Sequence, residues 1–303
     1  MFKHLLADGK KHLIVLGGAT ATGKTAVAVR LAQALGTEVL SADSRQFYRE
    51  MTIGTAKPSQ EELGGVPHHF LDFRSVSEPY SVGDFERDAL QVLEQIFQKK
   101  NLAILVGGSG LYLRAVYAGL DEFPYISPET KARVLAGEET GGLAWLQAQV
   151  AECDPVYFAR VDRLNPARLR RALEVCFESG RPYSDFLTRE KPRRNFETHL
   201  ILLELPREEL YARINARVDR MVAAGLEAEA RALLPYRELP ALHTVGYEEW
   251  FGFFDGTCTR EETIEKIKQH SRNYAKRQAT WFRKHGDWTV LHPERIPVNW
   301  LTG

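Results

Sequence analysis

Short apolar runs alternate with helical patterns along much of the chain. Residues 12–16 form an apolar run that ends at Gly17 and Gly18, which predicts a buried strand followed by a glycine turn. The segment after Lys24 has helical periodicity and ends at Gly36. Further strand patterns lie at residues 38–40, 102–106, 199–205 and 288–291. Strands that alternate with helices predict an α/β fold with a parallel sheet, whose ligands bind beyond the carboxyl ends of the strands.

The remaining segments predict a loop, two capped helices and an insertion. Residues 41–79 are polar and rich in glycine and proline, which predicts a loop. Ser81 with Asp84 and Thr259 with Glu262 predict helix starts, and the second helix extends to about His285. Residues 121–194 contain helical stretches and breakers but no strand pattern. We therefore predict a core of residues 1–120 and 195–303 and a helical insertion domain of residues 121–194.

The composition is that of a folded globular protein. Of 303 residues, 44% are hydrophobic and 26% are charged, which excludes a disordered chain. The longest apolar run has five residues, whereas a membrane-spanning helix needs about 20. Three distant cysteines form no CxxC pair, and Asp8 and Lys10 interrupt the N-terminal apolar residues. We expect a cytoplasmic protein without a signal peptide, and a monomer, because no pattern indicates a symmetric interface.

Two basic segments stand out in a chain with 40 acidic and 40 basic residues. Residues 160–194 contain ten basic and five acidic side chains, and residues 266–284 contain seven basic and no acidic ones. Localised basic segments in a neutral chain indicate a site for a polyanion. Solvated helix faces with acidic partners elsewhere in the chain explain these charges equally well.

The strongest motif is GATATGKT at residues 18–25, which matches G-x-x-x-x-G-K-[ST] between a predicted strand and a predicted helix. The backbone amides of such a loop surround a phosphate group. Lys24 adds positive charge, and the Thr25 hydroxyl can ligate Mg²⁺. The motif therefore predicts a pyrophosphate or polyphosphate ligand, without specifying a nucleoside triphosphate.

Polar residues follow two other predicted strands. Asp43 comes just after residues 38–40, so its carboxylate is expected at the same sheet edge, as a metal ligand through water or as a general base. A turn or helix-capping role is the alternative for Asp43. Ser109 lies in a second glycine turn, GGSG at residues 107–110, and can bond an oxygen of a bound pyrophosphate.

Residues 17–283 carry an ordered set of motifs: GGATATGKT, SADSRQFYR, IGTAKP, VPHHFLD, YSVGDFERDA, LVGGSGLYL, RLNPARLRRALEV, INARVDRMVAAGL, HTVGY and KRQATWFR. Together they resemble the bacterial tRNA dimethylallyltransferase family. The resemblance implies a P-loop NTPase-like parallel sheet flanked by helices, with an all-helical insertion domain that contacts tRNA. It also implies transfer of a dimethylallyl group from dimethylallyl diphosphate, with Mg²⁺, to the N6 amine of adenosine 37 in tRNAs that read codons beginning with U.

The resemblance also implies roles for individual residues. Asp43 matches the general base, and Ser109 stands where the family usually has a threonine that contacts the leaving diphosphate. The implied ligands of the diphosphate are Gly18, Ala19, Thr20, Ala21, Thr22, Gly23, Lys24 and Thr25, with Arg217 as a further candidate. Thr25 is also the implied Mg²⁺ ligand, and Lys24 is implied in catalysis. Ala19 and Thr22 replace the usual Pro and Ser, which removes no required group.

The implied tRNA contacts fall in five places. They are Asp43, Ser44, Arg45 and Gln46; Lys131; Ala167, Arg168, Leu169, Arg170 and Arg171; His243, Thr244, Val245, Gly246, Tyr247 and Glu248; and Lys276, Arg277, Gln278, Ala279, Thr280, Trp281, Phe282 and Arg283. Glu248 stands where an Arg can occur, which weakens one contact. Trp281 or Tyr274 is a candidate for stacking on a base, with core packing as the alternative.

General chemistry agrees with these assignments. The leaving diphosphate gains negative charge, which Lys24, the loop amides and Mg²⁺ stabilise, while Asp43 accepts the proton of the amine. The target adenine must leave its stack, and the basic segments are then expected to hold an anticodon stem-loop by its phosphates.

Three other functions are compatible with a phosphate-binding loop. An adenylate isopentenyltransferase would take free AMP or ADP, but a small nucleotide needs no extended basic surface. A small-molecule kinase would bind ATP instead of dimethylallyl diphosphate. A non-catalytic RNA-binding protein that uses a nucleotide as a switch would not need Asp43 opposite the loop.

Overall fold

Six strands within the described residues, 9–187 and 192–296 of a computed structural model, form one parallel sheet. They are β1 (His12–Gly18), β2 (Val39–Ser41), β3 (His68–His69), β4 (Leu102–Gly107), β5 (Glu197–Leu203) and β6 (Thr289–Leu291), in the order β3-β2-β4-β1-β5-β6. Every residue of β1 and β4 is buried. Strands covered on both faces read as continuous apolar runs, which is why the sequence pattern located them. The predicted parallel α/β fold is confirmed.

Several helices pack against the two faces of this sheet. The helices in the part of the chain that the structure describes are α1 (Lys24–Leu35), α2 (Gln60–Leu63), α3 (Val82–Phe97), α4 (Gly110–Ala118), α5 (Pro128–Cys153), α6 (Pro155–Phe158), α7 (Pro166–Ser179), α8 (Arg207–Ala223), α9 (Leu226–Ala232), α10 (Glu248–Phe254) and α11 (Arg260–Lys284). Ile14 and Leu16 of β1 pack against α1, whereas Leu13 and Val15 lie in a second core with α3, α4 and Phe282 of α11. Alternate residues of a strand face opposite sides, so one strand supplies both cores.

Helix caps follow the predicted signals, with one correction. Ser81 and Asp84 cap α3 reciprocally, and Thr259 and Glu262 do the same for α11, which ends at Lys284 as predicted. The prediction of an uninterrupted loop over residues 41–79 was wrong, because this segment contains α2 and β3. Ser59 begins α2 with a third capping box. Helix α2 has four residues and strand β3 has two, which are too few for hydrophobic periodicity to reveal them.

The chain divides into two compact units, Met1–Ala118 with Arg194–Gly303, and Gly119–Arg193. The second unit consists of α5, α6 and α7 around a core of its own, formed by Val134, Leu146, Val150, Leu169, Ala172 and Leu173. Gly142, one of two adjacent glycines in α5, has a non-helical φ of 60° and interrupts the helix with a kink, as expected of a helix breaker. Proline follows the N-cap residue of each of the three helices, because the first turn requires no amide from it.

Two expectations from the sequence, about membrane-spanning helices and about the cysteines, concern residues that the structure describes. None of the helices in residues 9–187 and 192–296 combines the length and apolar character needed to cross a bilayer. All three cysteines fall in these ranges and are free thiols. Residues 1–8, on which the absence of a signal peptide was judged, lie outside the described residues.

Gly107, at the end of β4, allows β4 and the segment after β2 to lie in contact. A Cβ at this position would meet the backbone carbonyl oxygen of Ala42 at 2.3 Å, and backbone cannot rotate away as a side chain can. We expect Gly107→Ala to lower the free energy of unfolding by about 2 kcal/mol in urea denaturation. Gly83→Ala, whose Cβ has its nearest contact at 3.7 Å from Ser81 Oγ, is the control and should not destabilise. Equal stability of the two variants would contradict this account of Gly107.

Candidate active site

The loop between β1 and α1 is shaped to receive an anion. Its Ala21 has a φ of 64° and Gly23 a φ of 82°, so the chain turns sharply before the helix begins. Gly23 is the N-cap residue of α1 and contributes no side-chain hydrogen bond, which leaves the first amides of the helix directed outward. Thr22 Oγ1 donates to the Ala19 carbonyl at 2.9 Å and braces the turn. Amides at a helix N-terminus bind phosphate groups.

Lys24 lies inside this loop. Its Nζ donates to the Ala19 carbonyl at 2.6 Å, so the ammonium group folds back over the loop. Burial lowers the pKa of Lys24 to about 8; the Asp43 carboxylate partly opposes this effect and the Arg217 guanidinium adds to it. An anion bound at the loop would therefore restore the charge balance around Lys24.

Asp43 and Ser109 reach the same end of the sheet from two other loops. Asp43 Oδ1 accepts the Arg45 amide at 3.0 Å, which fixes the turn after β2 and leaves Oδ2 for other partners. Ser109 Oγ accepts the Ser44 amide at 3.2 Å and donates to Ser44 Oγ at 3.3 Å. The structure thus brings together the three sequence motifs that follow β1, β2 and β4.

Arg217 of α8 contacts the loop after β1. Its Nη1 donates to Thr20 Oγ1 at 3.2 Å, and its Nη2 donates to the carbonyl of Thr55 at 3.3 Å. Burial lowers the pKa of Arg217, and Asp43 opposes that effect. A half-buried guanidinium beside Lys24 concentrates positive charge where the sequence predicts a diphosphate.

Glu229 of α9 holds the segment of the IGTAKP motif and was not singled out in the sequence. Its carboxylate accepts the amides of Thr52, Ile53 and Gly54 at 2.8 to 3.1 Å, and the Tyr247 hydroxyl at 2.7 Å. Gly54 and Tyr247 touch closely, since a Cβ on the glycine would lie 2.5 Å from the tyrosine ring. A glutamate in an amphipathic helix gives no signal of such a role.

The residues of the KRQATWFR segment lie on two faces of α11, one exposed and one buried. Lys276, Arg277, Thr280 and Arg283 are exposed, whereas Gln278 and Phe282 are buried. The two buried side chains face the protein, and contact of this segment with RNA stays a prediction. Trp281 packs over Gly110, where an added Cβ would meet the indole at 2.1 Å, so core packing is the reading that fits this residue.

Tyr274 of α11 is a further residue near the motifs. Tyr274 is 37% exposed, but withdrawal of its hydroxyl from water and the nearby Asp43 raise the pKa of Tyr274 to about 12. Arg277 lies over its ring at 5.7 Å from the centroid. Because its ring is partly exposed, Tyr274 is available for stacking on a base, which is one of the two roles predicted for it, the other being core packing.

The other predicted tRNA contacts vary in exposure. Lys131, Ala167, Arg168, His243 and Glu248 are exposed, whereas Leu169, Gly246 and Tyr247 are buried. The side chains of Leu169 and Tyr247 face the protein, and contact of these segments with RNA stays a prediction. Arg170 is bound to Glu138 by two hydrogen bonds of 2.6 and 2.8 Å, and Arg171 lies 3.6 Å from Glu174.

A cluster of potential metal ligands lies elsewhere. His12, Glu197 and His199 place ligand atoms within 4.8 Å of one another, and His12 Nδ1 lies 3.1 Å from His199 Nε2. These residues begin β1 and β5, whereas Thr25 follows the opposite ends of the strands. The cluster therefore does not serve the magnesium site predicted at Thr25.

The fold and the charged loops at the carboxyl edge of the sheet define a class, a P-loop-like α/β protein. Residues 46–285 match the IPP transferase family. The chain belongs to this family and is therefore a prenyltransferase enzyme.

Similar proteins are known both as sequences and as solved structures. The chain is 50% identical to the tRNA dimethylallyltransferase of Christiangramia forsetii over 90% of each chain, and 49% identical to that of Cytophaga hutchinsonii over 94% of each. It is similar to the tRNA isopentenylpyrophosphate transferase of Bacillus halodurans, with a TM-score of 0.70, 36% identity and coverage of 96% and 93%. A eukaryotic dimethylallyltransferase acting on tRNA gives a TM-score of 0.80 at 26% identity, over 94% of this chain and 74% of that one.

Protonation of Lys24 is expected to control diphosphate affinity. With a pKa of about 8, Lys24 is charged below pH 8 and loses its proton above it. The affinity for inorganic pyrophosphate, measured by titration calorimetry with Mg²⁺, should therefore fall about tenfold more between pH 7 and pH 9 than in Lys24→Arg, which stays charged. Ionisation of pyrophosphate itself is common to both proteins. Identical pH dependence in the two would exclude Lys24 as the titrating group.

Proposed function

We propose that this chain transfers the dimethylallyl group of dimethylallyl diphosphate to the N6 amine of adenosine 37, in tRNAs that read codons beginning with U. The observation that carries the proposal is the meeting of Asp43 with the Lys24 loop and Ser109 at one edge of the sheet. A carboxylate beside a phosphate-binding loop suits a transfer in which a proton is removed while a diphosphate leaves. Relatives about 50% identical carry the name tRNA dimethylallyltransferase.

The proposed reaction breaks the bond between the allylic carbon and the diphosphate oxygen, and forms a bond from that carbon to N6. Negative charge grows on the leaving oxygen, where Lys24, Arg217 and the loop amides stabilise it. The Ser109 hydroxyl lies in the adjacent loop and can donate to the same diphosphate. Asp43 accepts the proton that the amine loses, since its Oδ1 already accepts the Arg45 amide and Oδ2 is left for the substrate.

The oxygen groups at this edge fit a magnesium ion. The Thr25 hydroxyl is a hard oxygen ligand, and Mg²⁺ in such sites is held largely by the phosphates of the substrate. Bound there, the ion would neutralise charge on the departing diphosphate. Whether a nucleoside triphosphate also binds the loop is a separate property that this proposal does not require.

Exposed basic residues support RNA as the second substrate. Lys276, Arg277 and Arg283 on α11, together with the partly buried Arg45 near Asp43, can contact the phosphates of an anticodon stem-loop. Arg168 and Lys131 of the second unit add exposed charge of the same kind. We further propose that the enzyme acts in the cytoplasm, where tRNA is processed, and as a monomer.

The first test is an assay with purified protein, Mg²⁺ and dimethylallyl diphosphate. One tube receives unmodified tRNA with adenosine at position 37, and a parallel tube receives AMP. Mass analysis of the digested nucleosides should reveal dimethylallyladenosine from tRNA alone. Product from AMP alone would assign the chain to the adenylate isopentenyltransferases, and ATP hydrolysis without any prenylated product would indicate a triphosphate enzyme.

Removal of the proposed base should slow the chemical step. Asp43→Asn keeps the shape of the side chain but cannot accept a proton as a carboxylate does, so we expect kcat to fall at least about 100-fold. The KM for the donor should not rise, because the variant also removes a negative charge beside Lys24. Asp287→Asn changes an exposed carboxylate after α11 and is the matched control. A kcat near that of the wild type in Asp43→Asn would rule out Asp43 as the base.

A further inference from the structure

A single buried side chain joins the two glycine loops of the site. Gln278, on the inner face of α11, is 8% exposed. Its Oε1 accepts the backbone amide of Thr20 at 2.9 Å, and its Nε2 donates to the carbonyl of Gly108 at 2.9 Å. Only this orientation of the amide gives each atom a complementary partner. The loops after β1 and β4 are therefore linked to each other through one residue of a distant helix.

The link is tightly packed. A Cβ added to Gly108 would lie 2.4 Å from Gln278 Nε2, so a glycine is needed where the amide approaches. Ala275, one turn earlier on α11, packs against Ala19 of the first loop. Trp281, nearly one turn later, covers Gly110 of the second loop. Three successive inward positions of α11 thus contact the two loops.

Thr20 is held from two directions. Gln278 bonds its amide, and Arg217 donates to its hydroxyl at 3.2 Å. The next residue, Ala21, has the left-handed φ of 64°, which an L-residue adopts only when its surroundings impose it. Fixing Thr20 therefore fixes the turn that exposes the amides at the start of α1.

We propose that Gln278 is a positioning residue for the donor diphosphate, because it sets the separation between the phosphate-binding loop and the loop that carries Ser109. This inference rests on the proposed function in taking a diphosphate as the ligand of both loops. Gln278 itself need not touch the ligand. Its effect is to hold the loop amides and the loop that carries Ser109 beside the same group before the ligand arrives, so that binding does not have to order the two loops.

This role differs from contact with RNA in a measurable way. Gln278 lies on the inner face of α11, whereas its neighbour Arg277 lies on the exposed face. Loss of Gln278 should therefore weaken the diphosphate site and leave RNA affinity unchanged. Loss of Arg277 should weaken RNA binding and leave the diphosphate site unchanged. The two adjacent positions form a matched pair on one helix.

The experiment compares Gln278→Ala with Arg277→Gln in the full-length protein. Calorimetry with Mg²⁺ measures affinity for inorganic pyrophosphate, steady-state kinetics gives the donor KM and kcat, and fluorescence anisotropy measures affinity for an anticodon stem-loop. We expect Gln278→Ala to weaken pyrophosphate binding about tenfold, to raise the donor KM and to lower kcat, with RNA affinity changed by less than about twofold. Arg277→Gln should instead weaken binding of the anticodon stem-loop and leave pyrophosphate affinity unchanged.

A second variant, Gly108→Ala, disturbs the same hydrogen bond from the side of the Gly108 loop. It also provides the test if Gln278→Ala fails to fold. Gly108→Ala places a methyl group against Nε2 without a forbidden φ, so it should give the same loss of pyrophosphate affinity. In the double variant the methyl group enters the space that Gln278 vacated. The losses should then be non-additive, with the double variant no weaker than Gln278→Ala.

Several results would overturn the proposal. Wild-type pyrophosphate affinity in folded Gln278→Ala or in Gly108→Ala would do so, and so would a loss confined to RNA binding, which would make Gln278 an RNA contact. A wild-type protein that binds no pyrophosphate would overturn it together with the proposed function. If the wild type forms no prenylated nucleoside but Gln278→Ala still loses pyrophosphate affinity, the positioning role stands and the proposed reaction fails.

Discussion

Parallel pairing of β1 with β4, and of β4 with β2, is the constraint on which the site depends. In a parallel sheet all carboxyl ends lie at one edge, so the loops that follow the three strands must meet there. The register places Gly17 beside Gly107 and Ser41 beside Val106. The Lys24 loop, Asp43 and Ser109 follow directly from these positions. Residues far apart in the sequence are thereby brought within reach of one ligand.

The electrostatics of the site follow from partial removal of water. Lys24 and Arg217 lie together, and burial lowers the pKa of both, while the nearby Asp43 carboxylate offsets only part of that effect. Two neighbouring cations whose burial is only partly compensated favour the arrival of an anion. The supporting residues are neutral or fully paired, as with Glu229 and its four donors. The site therefore suits a diphosphate better than an uncharged ligand.

Helix α11 shows why contiguous motifs mislead. The family resemblance assigned the segment KRQATWFR to RNA as a whole. With 3.6 residues per turn, neighbours in a helix face different directions. Arg277 consequently points outward, and Gln278 points inward to Thr20 and Gly108. The charge of the segment indicated RNA, while its uncharged glutamine gave no sign of a partner more than 150 residues away.

The sequence by itself determined five of the six described strands, the helices capped at Ser81 and Thr259, and the main chemical groups of the candidate site. Apolar runs, capping boxes and the GATATGKT motif are local signals, because each depends on residues a few positions apart. The tertiary structure alone decided which side chains of a motif face inward, that Glu229 holds the segment after Met51, and that Gln278 joins two loops. These contacts depend on how whole helices pack on the sheet. A polar residue in an amphipathic helix has the same local pattern whether it faces water or a buried backbone amide.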